Sequence, residues 1–162
     1  FAQIVDNVIK LRDRFAPKAK ISVLTNAFHI LRPEVFAALQ RVDNALLKLD
    51  TVNLEYIELV NRPQGRYDLE RLVEKMKAFE GNCMIQTMFM KGSWEGKSVD
   101  NTSERFVGPW LAAVKAIRPK LVTIYTIDRE TPDKSLEKAT HEELDRIAAR
   151  LREAGLECTV SY

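Results

Sequence analysis

The pattern that most constrains this chain is the strict alternation of its hydrophobic rhythm. "FAQIVDNVIKLRDRF" places Phe1, Ile4, Val5, Val8, Ile9 and Leu11 at helical spacing, and "KISVLTNA" follows as a short β-rich run from about Ile21 to Asn26. "RPEVFAALQRV" reads as a helix with Pro33 in its first turn, where a missing N–H costs nothing, and a strand spans Ala45 to Asp50. "YDLERLVEKMKAFEG" carries Leu69, Leu72, Val73, Met76 and Phe79 on one stripe, with Gly81 as its stop. "NCMIQTMFM" is a third strand. "NTSERFVGPWLAAVKAIRP" is a helix whose start Gly108 and Pro109 are expected to delay or kink, and "KLVTIYTI" is a fourth strand. "THEELDRIAARLREAG" opens on a capping box, Thr140 with Glu143, and closes on Gly155 before a fifth strand, "LECTVSY".

Near-continuously apolar strands alternating with crossover helices predict an α/β fold, a parallel sheet of about five strands covered by helices. The 162 residues, 46% hydrophobic, suffice for one domain with a substantial core. A net charge of +2 with scattered basic residues offers no nucleic-acid footprint, and no apolar run approaches the roughly 20 residues that span a bilayer. Without a signal peptide or a disulfide framework, the expected location is cytoplasmic. Cys83 and Cys158 stand alone, with no CxxC spacing that would mark a metal site, and are expected to be small buried hydrophobes. The chain also opens at Phe1 in the middle of a helical rhythm, so it is expected to be a piece of something longer.

Ligands of parallel α/β folds sit at the C-terminal ends of strands. Strand parity places Leu46, Lys48 and Asp50 on one face and Leu47 and Leu49 on the other; Asn26, Gln86 and Tyr125 come from neighbouring strands. These groups either converge on a polar ligand or satisfy one another, since each buried without a partner would cost about 1–3 kcal/mol. The fourth strand runs on into "TIDRETP", residues 126–132, whose Asp128 and Arg129 extend the polar set. The connections after the second and third strands are long, as functional loops are. Trp94 either covers a ligand or plugs its loop. His29 lies just past a strand end, and His141 fits the first turn of a capped helix.

Taken in order, "ISVLTNA", "LLKLDT", "NRP", "CMIQTMFMKG", "DNT" and "VTIYTIDRETP" resemble the radical S-adenosylmethionine (radical SAM) superfamily, in particular its iron–sulfur oxidoreductases. The resemblance covers nearly the whole chain. It implies part of a (β/α)6 barrel, with residues 1–162 as a single C-terminal portion of the core. The CxxxCxxC loop that holds a [4Fe–4S] cluster, and the glycine-rich turn for the methionine amino group, would precede Phe1. In the complete enzyme, reductive cleavage of S-adenosylmethionine would give a 5′-deoxyadenosyl radical for hydrogen abstraction. This portion would be inactive alone. The resemblance assigns Asn26, Lys48, Asp50, Gln86 and Tyr125 to cofactor contacts and Asp128 and Arg129 to the substrate or adenine side, with no metal ligand in the chain. Asn26 matches the asparagine of the family's "TNG", with Ala27 in place of its glycine.

Two other readings stand beside it. Lys48 with Asp50 could form a Schiff base, as in barrel aldolases. Alternatively, the domain binds a partner or nucleotide without catalysis, although no glycine-rich phosphate loop of either familiar spacing is present. The substrate is open. An exposed barrel edge would favour dimer formation.

Overall fold

The computed structural model describes residues 1–131 and 133–162. Five parallel strands form the central sheet: β1 (Ser22–Thr25), β2 (Asn44–Lys48), β3 (Met84–Met88), β6 (Leu121–Tyr125) and β8 (Cys158–Ser161). They lie side by side in the order β1-β2-β3-β6-β8. Such a sequential order of right-handed crossovers puts every helix on one side. These helices are α1 (Ala2–Phe15), α2 (Pro33–Leu39), α4 (Leu69–Lys77), α5 (Glu104–Ile117) and α6 (His141–Glu153). Their inward residues, among them Val5, Leu39, Met76, Trp110 and Leu144, share one core with Leu47, Ile85, Val122 and Ile124.

The expected covering by helices therefore holds for one face only. The other face carries three rows set by register. Leu24, Leu46, Met84 and Leu121 form an apolar row, and Lys48, Gln86, Thr123 and Thr159 form a polar one. Met88, Tyr125 and Ser161 form the third, nearest the strand ends. None of the four apolar residues joins the core, and Leu24 is 64% exposed. Among the described residues the sheet is open, with β1 and β8 at its edges, and it does not close into the expected barrel. One flank of α1 is likewise uncovered: Phe1, Ile4, Val8, Leu11 and Phe15 are all exposed, while Val5 turns inward.

The two long connections fold into structure that periodicity alone did not reveal. After β2, Asn53 caps a single turn, α3 (Leu54–Tyr56), which continues as a π-helical segment, Ile57–Asn61. After β3, β4 (Met90–Trp94) and β5 (Lys97–Ser98) form a hairpin, and β7 (Leu136–Lys138) pairs with β4. The third strand thus ends at Met88, short of the expected Met90. The hairpin turn is Glu95-Gly96, with φ of 50° and 72°. Both residues need positive φ, as a two-residue hairpin turn of the primed type requires, and the unusual Glu in the first place masks the signal. Trp94 packs with Val99, Phe106 and Leu136 in a small second cluster, which makes it a plug.

Helix α5 starts at Glu104 without the expected delay and runs unbroken past Gly108 and Pro109. The capping box of α6 forms as read: the Thr140 hydroxyl accepts from Glu143 N–H, and the Glu143 carboxylate accepts from Thr140 N–H. Cys83 is buried, whereas Cys158 on the edge strand is only half-buried. Among the described residues, no helix is long and apolar enough to cross a membrane.

Candidate functional site

The strands end beside a cleft of about 820 Å³ whose lining includes Asn26, Phe28, His29, Lys48, Asp50, Asn61, Tyr67 and Met88. Asp50 stands just beyond β2 and is almost fully buried. Its Oδ1 accepts from Met88 N–H at 2.9 Å, while Oδ2 accepts from Asn61 Nδ2 at 3.0 Å and pairs with Lys48 Nζ at 3.2 Å. Lys48 Nζ also donates to the Tyr125 hydroxyl at 3.4 Å. Burial works against the ammonium charge, but the neighbouring Asp50 and Tyr125 oxygens outweigh it and hold Lys48 above its ordinary pKa. The same burial, with Asp50 close by, raises the Tyr67 phenol.

Lys48, Asp50 and Tyr125 thus meet as parity expected, with the Gln86 backbone in register beside Lys48. Asn26 lines the outer part of the cleft. Its Oδ1 accepts from Phe28 N–H at 3.1 Å, which leaves the amide hydrogens for another partner. The turn it enters keeps the geometry of a glycine turn, because Ala27 sits at φ 61° and is buried. An L-residue in that conformation costs roughly 1–2 kcal/mol, so the surrounding turn holds Ala27 against its side chain's preference. Asp128 and Arg129 are exposed on the loop after β6 and do not line the cleft, and Pro132, which ends that stretch, lies outside the described residues. His29 lines the cleft edge-on to Phe28, with ring centroids 4.9 Å apart. His141 opens α6 and stacks on Tyr162.

Several residues of the site escaped the sequence reading. Asn61 reaches Asp50 because the π-helical turn carries it there, and no periodicity announces a π turn. Asn101 is fully buried between the ends of β2 and β3, where it bonds the carbonyls of Asp50 and Met88. In the sequence it lies in "DNTS", a helix start whose "DNT" also carries the family resemblance, which gave the asparagine no role. Thr87 and the indole of Trp110 both donate to the Leu49 carbonyl, at 2.8 and 2.9 Å.

The donor set does not fit an iron–sulfur cluster. Cys83 immediately precedes β3 and Cys158 begins β8, so both thiols sit at the N-terminal ends of strands, opposite the cleft. Burial pushes the Cys83 thiol up to about 11, which disfavours the thiolate a metal needs. Among the described residues, no three His, Cys, Asp or Glu side chains gather as a metal site. The same residues do fit a polar organic ligand. Lys48 retains an unbonded proton, Asn26 offers amide hydrogens, and Phe28 and Tyr67 form a near-parallel aromatic wall at 17°. "GSWEGKS", Gly92–Ser98, ends like a phosphate-binding loop, but three residues rather than four separate its glycines, and it forms a hairpin instead of opening a helix.

Comparison with known proteins places this geometry. No protein-family model matches the chain. Over 130 residues it is 21% identical to the GTPase Obg of Brachyspira hyodysenteriae, covering 78% of this chain and 18% of that protein. The chain therefore spans only a small part of the curated relative it matches. Solved structures match better. A domain of pyruvate-formate lyase-activating enzyme from Bacteroides vulgatus superposes with a TM-score of 0.68 at 12% identity, over 99% of this chain and 93% of that one. Streptococcus suis SuiB, bound to precursor peptide SuiA, gives 0.67 at 16% identity, over 98% of this chain and 35% of that one. A radical SAM methyltransferase from Sphaerobacter thermophilus gives 0.58 at 18% identity, over 76% and 36%. The chain shares its fold with these three structures.

Proposed function

We propose that residues 1–162 are the C-terminal part of a radical SAM core and are inactive alone. One observation carries this reading: in a fold shared with radical SAM structures, Lys48, Asp50 and Tyr125 meet at the strand ends of a sheet whose inner face is uncovered. The uncovered apolar row and the bare flank of α1 support a missing portion of barrel, and no cluster ligand is expected from this chain. In a complete protein, S-adenosylmethionine and a [4Fe–4S] cluster held outside this chain would supply the radical chemistry for hydrogen abstraction.

This chain's own residues bind and orient. Lys48 holds a positive charge toward an anionic or hydroxyl-bearing part of the ligand. Asp50 keeps one lone pair of Oδ1 for a ligand hydroxyl or ammonium. Asn26, Gln86 and Tyr125 supply further polar contacts, and Asp128 and Arg129 approach a substrate from the β6 loop. The free β1 edge and the α1 flank support pairing with a second copy when the chain is alone, and a cytoplasmic setting suits the family's chemistry. The Schiff-base reading loses ground, because a nucleophilic lysine needs a lowered pKa and the surroundings of Lys48 raise it.

The test extends the polypeptide through the codons upstream of Phe1, reconstitutes it anaerobically with iron and sulfide, and quantifies 5′-deoxyadenosine. The expected result is product from the extended protein, none from residues 1–162, and loss of product on Asp50→Ala. An extended protein without a cysteine trio that forms no 5′-deoxyadenosine overturns the reading.

A further inference from the structure

The β2–β3 ladder stops before either chain turns away. Its last main-chain bond is Leu49 N–H to the Gln86 carbonyl at 3.0 Å, whereas β3 and β6 stay paired through Phe89 N–H to the Tyr125 carbonyl at 2.8 Å. Side chains replace the missing rungs, and Asn101 is central among them. Its Nδ2 donates to the carbonyls of Met88 at 2.9 Å and Asp50 at 3.3 Å, and its Oδ1 accepts from Met90 N–H at 2.9 Å. A side-chain amide therefore stands between two strands as a detached peptide group would.

Few side chains can do this. Aspartate has no donor, leucine has neither donor nor acceptor, and glutamine is one methylene too long for a close-packed site. The next rung would join Met88 N–H to the Leu49 carbonyl, but Thr87 and Trp110 occupy that carbonyl and Asn101 stands between the strand ends, so the Met88 N–H is left without a main-chain partner. The Asp50 carboxylate crosses the gap and takes it at 2.9 Å, which leaves Oδ2 beside Lys48.

We propose that Asn101 is the positioning residue of the strand-end site: a wedge that holds β2 and β3 apart and so turns the Asp50 carboxylate into the cleft beside Lys48. Its importance for binding rests on the strand-end pair being the ligand site, while the wedge itself does not depend on which ligand enters.

The Met88 amide reports on this directly, because its partner is the Asp50 carboxylate, and the adjacent Phe89 amide, bonded to β6, is an internal control. Amide hydrogen exchange is measured on the chain with Asn101→Leu, and with Asn101→Ser in case leucine prevents folding. The expected result is Met88 exchange faster by about tenfold or more with Phe89 changed less than about twofold, serine falling between leucine and asparagine. Equal acceleration of Met88 and Phe89 would show general loosening, and no change at Met88 would show that Asp50 finds its place unaided; either overturns the proposal. Calorimetric titration of the upstream-extended protein with S-adenosylmethionine separates the two ideas. Failure of the unsubstituted protein to bind would count against that ligand and leave the exchange result standing.

Discussion

The two faces of the central sheet come from the same five strands, yet they obey different rules. On the covered face Leu47, Ile85, Val122 and Ile124 are completely buried under helices. On the open face Leu46, Met84 and Leu121 are half-exposed in the same register, and above them run Lys48, Gln86 and Thr123. Alternation along a strand thus separates a covered, stabilising surface from an uncovered one that carries the polar row, two residues at a time. The difference teaches that hydrophobicity in a parallel strand does not by itself say what the residue is packed against.

Substitutions can break that comparison. The largest effect belongs to the covered face: Ile85→Ala is expected to lower unfolding free energy by about 2–5 kcal/mol in urea titration, through lost burial and the cavity left behind. A loss under about 1 kcal/mol would mean that the helices do not press on this face as described. Next comes Asp50→Ala, expected to cost about 1–3 kcal/mol because Asn61, Met88 N–H and Lys48 lose their acceptor.

A smaller effect lies in the alkaline range. The Lys48 pKa is raised on folding, so its contribution is fully present below the unfolded value of 10.5 and fades as pH climbs through the higher folded value. Lys48→Met should therefore flatten the decline in stability above that pH and leave the slope near neutrality unchanged; an equal slope in both proteins would count against the Lys48–Asp50–Tyr125 cluster. The smallest effect is Leu24→Ala on the open face, expected within about 0.5 kcal/mol of zero in the chain alone. A loss as large as that of Ile85→Ala would show that something already covers Leu24.

The five parallel strands with the helices between them, and the meeting of Lys48 with Asp50 and Tyr125, were legible in the sequence, because periods of 3.6 and 2 register which side of an element faces inward. The one-sided covering was not, since Leu46 and Leu47 look alike on paper and only strand order decides which meets a helix. Asn61 and Asn101 lay in the segments "NRP" and "DNT" that carried the resemblance, yet no role could be assigned to them. Each acts at a departure from regular geometry, a π turn and a parted ladder, and such departures leave no period to detect. Ala27 shows the converse: its left-handed conformation contradicts its residue type, so only the turn that surrounds it makes it readable.

The π-helical segment also bears on how this site tolerates change in length. Arg62 N–H bonds the Ile57 carbonyl, one residue farther than an α-helical rung, so the segment holds a residue in excess of regular winding. Deleting one residue from Ile57–Val60 would let the turn relax to α-helix with little disturbance of its ends. The asparagine at its close would keep its phase and its reach to Asp50. A single codon lost here would therefore leave both the fold and the Asn61–Asp50 contact in place, so the turn is a slack link that absorbs a change of length beside the site.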